Sequence, residues 1–150
     1  FANGTPCRCI RCREVKKGEV DLNAILKTTV YEGSDGTEYF LSFVSPDDKI
    51  LYGFLRLRLS QNSGSNVFDE LVDCALIREL HVYGRVLKVG ENNKKVAQHS
   101  GFGTRLVNEA IKISKHNNYN KIAVISGVGV RDYYRRFGFE TEEYFMTTKI

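Results

Sequence analysis

One stretch constrains this chain more than any other. It is Gln98-His99-Ser100-Gly101-Phe102-Gly103-Thr104, which lies after an apolar segment, Ala75 to Val82, and before the run Arg105 to Lys115. A second apolar segment, Ile122 to Ile125, and the pair Tyr133-Tyr134 follow. A strand, a glycine-bearing loop and a helix in that order build an anion-binding site. Gly101 and Gly103 let backbone come close to a ligand and take angles that other residues resist. The first N–H groups of the helix have no intrahelical partner, and the helix dipole adds partial positive charge. A diphosphate fits such a place. The loop has neither the Gly-Lys-Ser/Thr ending of a Walker A sequence nor a Gly-x-Gly-x-x-Gly pattern. Taken alone, it also reads as an ordinary helix start.

The rest of the chain supplies strands first. Thr28-Thr29-Val30-Tyr31 is β-branched and reads as a strand ending near Glu32. Gly33-Ser34-Asp35-Gly36 and Ser45-Pro46-Asp47-Asp48 are turns by their chemistry. Between them Glu38 to Val44 alternates as a strand. Ile50 to Leu59 is a long strand, with Leu51, Gly53, Leu55, Leu57 and Leu59 on the buried face and Phe54, Arg56 and Arg58 on the other. Turns this short favour antiparallel hairpins. Cys74 to Val82 is the next strand, although Arg78, Glu79 and His81 interrupt its alternation; polar residues there are either paired or placed at a site.

Helical spacing then takes over. Leu106, Val107, Ala110, Ile111 and Ile113 form one stripe of a helix from Gly103 to His116, ended by Asn117-Asn118. Lys121 to Ser126 is a short buried strand of parallel type. Asp132 to Phe137 is a short helix stopped by Gly138, and Phe139 to Lys149 is the last strand. Strands followed by strand–helix–strand–helix–strand make an α+β fold with a mixed, mostly antiparallel sheet flanked by helices.

Cys7, Cys9 and Cys12 stand in the spacing Cys-x-Cys-x-x-Cys within an arm spanning residues 1–17, ahead of a domain of residues 18–150. In a reducing compartment such a cluster points to metal or redox chemistry. A structural zinc takes four Cys or His ligands, so Cys74 is the first choice for the fourth, ahead of His81 and His99. Three incidental thiols are the plain alternative. Arg8, Arg11, Arg13, Lys16 and Lys17 around them suit either RNA phosphates or a solvated face.

The 22 basic and 18 acidic residues give a net charge of +4, which permits a nucleic-acid partner without demanding one. No apolar run approaches a membrane span and no signal-peptide pattern opens the chain, so a cytoplasmic setting and no membrane partner are expected. Phe1 opens the sequence and Met146 is its sole methionine, as expected of part of a longer protein.

Gln98-x-x-Gly101-x-Gly103 resembles the acetyl-CoA pyrophosphate loop of the GNAT acetyltransferases. With Ile77-Arg78-Glu79-Leu80-His81-Val82-Tyr83-Gly84 and Ile122 to Arg135, it resembles the acetyltransferase domain of the Elongator catalytic-subunit family, which modifies the wobble uridine of tRNA. The likeness runs from about Cys74 to Tyr144 and recurs at Cys7 to Val15. It implies a GNAT fold and an acyltransferase acting with acetyl-CoA and tRNA. It further implies a missing radical domain that carries S-adenosylmethionine and a 4Fe–4S cluster, and other Elongator subunits as partners. In this reading Gln98, Gly101, Phe102, Gly103 and Thr104 hold the pyrophosphate, and the edge Glu79-Leu80-His81-Val82 runs beside the pantetheine arm. Tyr134 contacts the cofactor and protonates the departing thiolate; Tyr133 beside it is the second candidate, and Glu79 and His81 are candidate bases. A protein lysine such as a histone's is the alternative acceptor. A zinc-stapled RNA-binding module with a vestigial cofactor site is the alternative of another class.

Overall fold

In the computed structural model, residues 6–15, 23–64, 66–83 and 101–150 are described. Gln98, expected among the pyrophosphate-binding residues, and His99 lie outside them. The centre is a seven-stranded sheet in the order β1-β2-β3-β4-β5-β7-β6. Its strands are β1 (Ile25–Gly33), β2 (Gly36–Val44), β3 (Leu51–Leu59), β4 (Ala75–Val82), β5 (Lys121–Val124), β6 (Glu140–Thr141) and β7 (Met146–Lys149). Among the described residues, three α-helices accompany them: α1 (Ile10–Arg13), α2 (Gly101–His116) and α3 (Arg131–Arg135).

Strands β1 to β4 form an antiparallel meander; the short polar turns between β1 and β2 and between β2 and β3 leave no room for a crossover, and a longer connection over residues 60–74 leads from β3 to β4. Asp35 and Asp48 take positive φ in those turns, a conformation short polar side chains tolerate. Helix α2 then carries the chain across the sheet so that β5 lies parallel to β4. Asn118, at φ 64°, ends α2, and the Tyr119 N–H reaches back to the Ser114 carbonyl. Gly138, at φ 83°, ends the short helix at α3.

One face of the sheet holds the main core. Leu41, Phe43, Leu55, Leu57 and Ile77 meet Phe102, Leu106, Val107 and Ala110 of α2. The helix stripe is therefore as its spacing implied, with Ile111 and Ile113 at its margins. The opposite face departs from expectation at Phe54, which is 2% exposed. It forms a second small core with Val44 and with Leu51, over which Ile10, Phe40 and Tyr83 pack; Leu51 was expected on the face of Leu55, Leu57 and Leu59, but beside the register shift at Phe43/Val44 it is Tyr52 that joins them. The predicted last strand also divides: Glu140 pairs with Thr147 and Thr141 with Met146, making the β6–β7 hairpin.

The cysteine-bearing arm is docked, not free. Glu14 bridges Leu51, and the Val15 N–H donates to the Leu51 carbonyl at 3.1 Å. Asp48 accepts Arg8, Arg13 and Lys27 at 2.6, 2.8 and 2.7 Å, so one carboxylate ties the arm to β1 and to the β2–β3 turn.

Candidate active site

The site begins with a register fault. From Gly53↔Val82 to Arg56↔Glu79 the β3–β4 pairs are regular, but the next pair is Leu57↔Ile77. Arg78 is thus an extra residue on β4, a β-bulge that bends the strand. The parallel pairing with β5 stops at the same point, with Ile77↔Val124 its last pair. Beyond Ile77, β4 and β5 part. The interrupted alternation of the sequence is this bulge.

The bulge decides where backbone groups point. Successive residues of an antiparallel strand face alternate neighbours. The Tyr83 N–H donates to the Tyr52 carbonyl at 2.9 Å, so Tyr83, His81 and Glu79 face β3. The N–H and C=O groups of Leu80 and Val82 therefore face the gap. Their side chains turn toward α2, while those of Glu79 and His81 lie on the far face of the sheet.

Helix α2 starts at this gap. Gly101 is its first residue, and a Cβ there would meet nothing within 4 Å among the described residues. Gly103 differs: its Cβ would fall on the Tyr133 hydroxyl and stand 3.5 Å from Val82 Cγ2. The first turn of α2 is thus wedged between the end of β4 and α3, with Gly101 open above it. Phe102 anchors this turn, stacked on Phe43 at 4.3 Å between ring centroids. Arg105, one turn on, lies over the other side of Phe43 at 4.5 Å.

The two tyrosines of α3 diverge, as adjacent helical residues must. Their rings are perpendicular, at 87° and 5.3 Å. Tyr134 is buried against Phe139, and burial pushes its phenol up to about 12, with Tyr133 adding to the rise. It stays protonated at any physiological pH, a donor and not a base. The Tyr133 hydroxyl is buried against α2, and among the described residues no hydrogen bond of normal geometry reaches it. Burial raises its pKa, and the Thr104 hydroxyl beside it and the Arg136 charge offset part of the rise.

Glu79 is half exposed and 3.6 Å from Arg56. His81 leans on Tyr83 at 4.5 Å and on Phe54 at 6.0 Å. Arg78 reaches across β3 to the buried Glu38 on β2, sharing its Oε1 with Arg58, each at 2.8 Å. That shared carboxylate holds the bulge residue and keeps β4 bent. No sequence signal marked Glu38, because its partners lie 20 and 40 residues away.

The thiols of Cys7, Cys9 and Cys12 are exposed and lie within 4.8 Å of one another. Tetrahedral zinc–thiolate bonds of about 2.3 Å set sulfurs roughly 3.8 Å apart, so the trio fits a metal with small adjustment. Cys9 is pulled down to about 7, chiefly by the Cys12 backbone N–H and by the thiols of Cys7 and Cys12. Cys12 is pushed up to about 11 because its thiol donates to Cys9 and Cys7.

Cys74 is not part of this cluster, which corrects its assignment as fourth ligand. It is fully buried with Leu71, Leu76 and Ala123, and burial raises its thiol to about 12. The arm docks at Leu51, whereas Cys74 precedes Leu76, which lies opposite Arg58. From Leu51 to Arg58, at about 3.3 Å per residue, is roughly 23 Å along the sheet.

No protein-family model matches the chain. It is 41% identical over 147 residues to the tRNA uridine(34) acetyltransferase of Dehalococcoides mccartyi, covering 89% of this chain and 30% of that one. Against Elongator complex protein 3 of Drosophila melanogaster it is 40% identical over 156 aligned positions, covering 98% and 28%. Among solved structures, archaeal Methanocaldococcus infernus Elp3 with its N-terminus deleted superposes with a TM-score of 0.80 at 37% identity, covering 99% of this chain and 37% of that one. A putative GNAT acetyltransferase from Desulfovibrio desulfuricans, at 14% identity and a TM-score of 0.53, shares the fold. The chain spans under a third of the length of these curated relatives. With the GNAT fold, the split of β4 from β5 and some 40% identity along nearly its whole length, the chain is a homologue of one part of the tRNA uridine(34) acetyltransferases and of Elongator complex protein 3.

Proposed function

We propose that this chain is the acetyl-CoA-dependent acetyltransferase domain of an enzyme that modifies uridine 34 of tRNA. The observation that carries the reading is the gap itself. Past the Arg78 bulge, Leu80 and Val82 direct free backbone groups toward the start of a glycine-led helix. Two features among the described residues suit acetyl-CoA: the open space at Gly101 and an unpaired strand edge.

Bound there, acetyl-CoA supplies an acetyl group activated as a thioester. The residues of the chain have separable tasks. Gly101, Phe102, Gly103 and Thr104 offer the free N–H groups of the first turn of α2 to phosphate oxygens, and Gln98 precedes them in the chain. Leu80 and Val82 offer N–H and C=O groups to amides, and a backbone N–H of this edge stabilises negative charge on a carbonyl oxygen. Tyr134 holds a proton at its hydroxyl oxygen for a departing sulfur. Glu79 and His81, on the far face of β4, accept a proton from an incoming nucleophile.

Residues 1–17 act as a linker arm and 18–150 as the catalytic domain. Cys7, Cys9 and Cys12 hold a structural zinc whose fourth ligand comes from outside the trio. S-adenosylmethionine and a 4Fe–4S cluster belong to the remainder of the parent protein, which also presents the RNA. Partners in addition to tRNA include other Elongator subunits, and the compartment is cytoplasmic. Among the described residues no helix is long and apolar enough to cross a membrane.

Calorimetric titration of acetyl-CoA, with and without tRNA, tests the reading. Saturable acetyl-CoA binding that tRNA alters supports it. Acetyl-CoA binding unaffected by tRNA favours a protein lysine as acceptor. RNA binding with no acetyl-CoA binding leaves only an RNA-binding module.

A further inference from the structure

Arg135, the last residue of helix α3, and Arg136, its C-cap, are both exposed but stand in different electrostatic states. Arg135 is paired with Asp132, one turn back. Arg136 makes no ion pair among the described residues. Its guanidinium lies over the Tyr133 ring at 4.6 Å, and its Nε donates to the Tyr133 carbonyl at 3.4 Å. Tyr133 in turn sets its hydroxyl against Gly103 in the first turn of α2. The order is therefore helix start, tyrosine ring, guanidinium, each in contact with the next. Stacking on the ring and the Nε contact hold the guanidinium in place, and the residue stays exposed; a planar guanidinium held this way suits two-pronged phosphate binding.

We infer that Arg136 recognises the 3′-phosphate of coenzyme A, and so selects coenzyme A over its dephosphorylated form. The inference rests on the reading of the α2 start as the diphosphate site. A coenzyme A molecule bears its 3′-phosphate on the ribose next to the diphosphate. A cation one tyrosine ring away from the diphosphate subsite is placed for that group. The first turn of α2 offers N–H groups to the diphosphate; Arg136 adds a formal charge for the second phosphate. Arg135, neutralised by Asp132, has no such role.

The test compares dissociation constants of coenzyme A and 3′-dephospho-coenzyme A by calorimetry. Wild type should prefer coenzyme A by roughly tenfold or more, the scale of one charge-assisted arginine–phosphate contact. Arg136→Gln should bring that ratio close to one while leaving the dephospho form bound as in wild type. Arg136→Lys should keep part of the preference, since charge remains but the planar fork is lost. Arg135→Gln should leave the ratio unchanged. Equal weakening of both nucleotides by Arg136→Gln would show that the arginine serves the diphosphate or the fold, and would overturn the inference. So would an unchanged ratio, or an equal loss in Arg135→Gln. If wild type binds neither nucleotide, the diphosphate site itself is refuted and the inference falls with it.

Discussion

Gly101 and Gly103 stand two residues apart in the same turn, yet the structure separates their roles. A side chain at Gly103 meets protein. Its Cβ would overlap the Tyr133 hydroxyl, with Tyr133 Cζ at 3.4 Å and Val82 Cγ2 at 3.5 Å. Tyr133 cannot yield freely, because its ring packs on Tyr134 and Phe137. Overpacking of this kind costs about 1–3 kcal/mol, against which a helical alanine regains at most about 1 kcal/mol over glycine. Gly103→Val, with two further methyl groups, should therefore lower stability by about 1–3 kcal/mol. It should also weaken acetyl-CoA binding tenfold or more, about 1.4 kcal/mol. Because Tyr133 moves, that loss alone does not place the ligand.

Gly101→Val does place it. The new side chain projects into space that the described protein atoms leave open, so the unfolding free energy in urea should change by under about 0.5 kcal/mol. If phosphate oxygens lie against that backbone, acetyl-CoA affinity should nevertheless fall tenfold or more, about 1.4 kcal/mol. Urea titration and calorimetry on the same preparations measure both quantities. A Gly101→Val chain of wild-type stability that binds acetyl-CoA within about twofold of wild type refutes the assignment of this turn to the diphosphate.

Three further outcomes are expected. Tyr134→Phe should leave acetyl-CoA binding nearly unchanged while turnover of the parent enzyme falls by roughly 10²–10⁴; Tyr133→Phe, which only deletes a buried unpartnered hydroxyl, should be neutral or slightly stabilising, and wild-type turnover in Tyr134→Phe would remove that residue from the chemistry. Protein purified without added metal should carry one zinc per chain by elemental analysis, lost in Cys9→Ser and retained in Cys74→Ala; in the metal-free chain Cys9, at about 7, should alkylate first at neutral pH. Asp48→Asn should cost about 1–3 kcal/mol near pH 7, because one of its three cation contacts, Arg13, is largely buried and the other two are exposed. The Asp48 carboxyl is held below its ordinary value, first by Lys27. Its contribution is thus complete above the unfolded value of about 3.9 and disappears as pH falls through the lower folded value, so a difference between wild type and Asp48→Asn that persists undiminished in strong acid would contradict the ionic account.

What could be read from the chain alone follows from which contacts are local. Leu55, Leu57 and Leu59 of β3 alternate and the apolar residues of α2 recur at helical spacing, so the main core was legible apart from Leu51, as were the turns at Asp35 and Asp48 and the stops at Asn118 and Gly138. The order of strand, glycine-bearing turn and helix located the site for the same reason: its backbone features are consecutive. Where reading failed, the deciding contact was distant. Cys74 is a natural ligand by element type, yet it lies at the far end of β3 from the docked arm. Phe54 alternates with arginines as a solvent-facing residue does, but Ile10 of the arm and Phe40 and Tyr83 of neighbouring strands cover it.

The bulge at Arg78 shows most clearly why site geometry was less legible than fold. Its cause is a pairing list in which β3 advances one residue while β4 advances two. The residue left over is an arginine whose partner, Glu38, lies on β2 and already holds Arg58. Glu38 is 3% exposed, and its Oε2 has no hydrogen-bond partner among the described residues. A buried carboxylate facing two guanidiniums is costly to leave unmatched. Losing Arg78 would leave Glu38 with Arg58 as its remaining cation and remove the contact that bends β4. The opening of the gap at Leu80 and Val82 therefore depends on a carboxylate 40 residues earlier that touches no part of it. Such a residue bears on activity through strand geometry, and no motif centred on the glycine turn could include it.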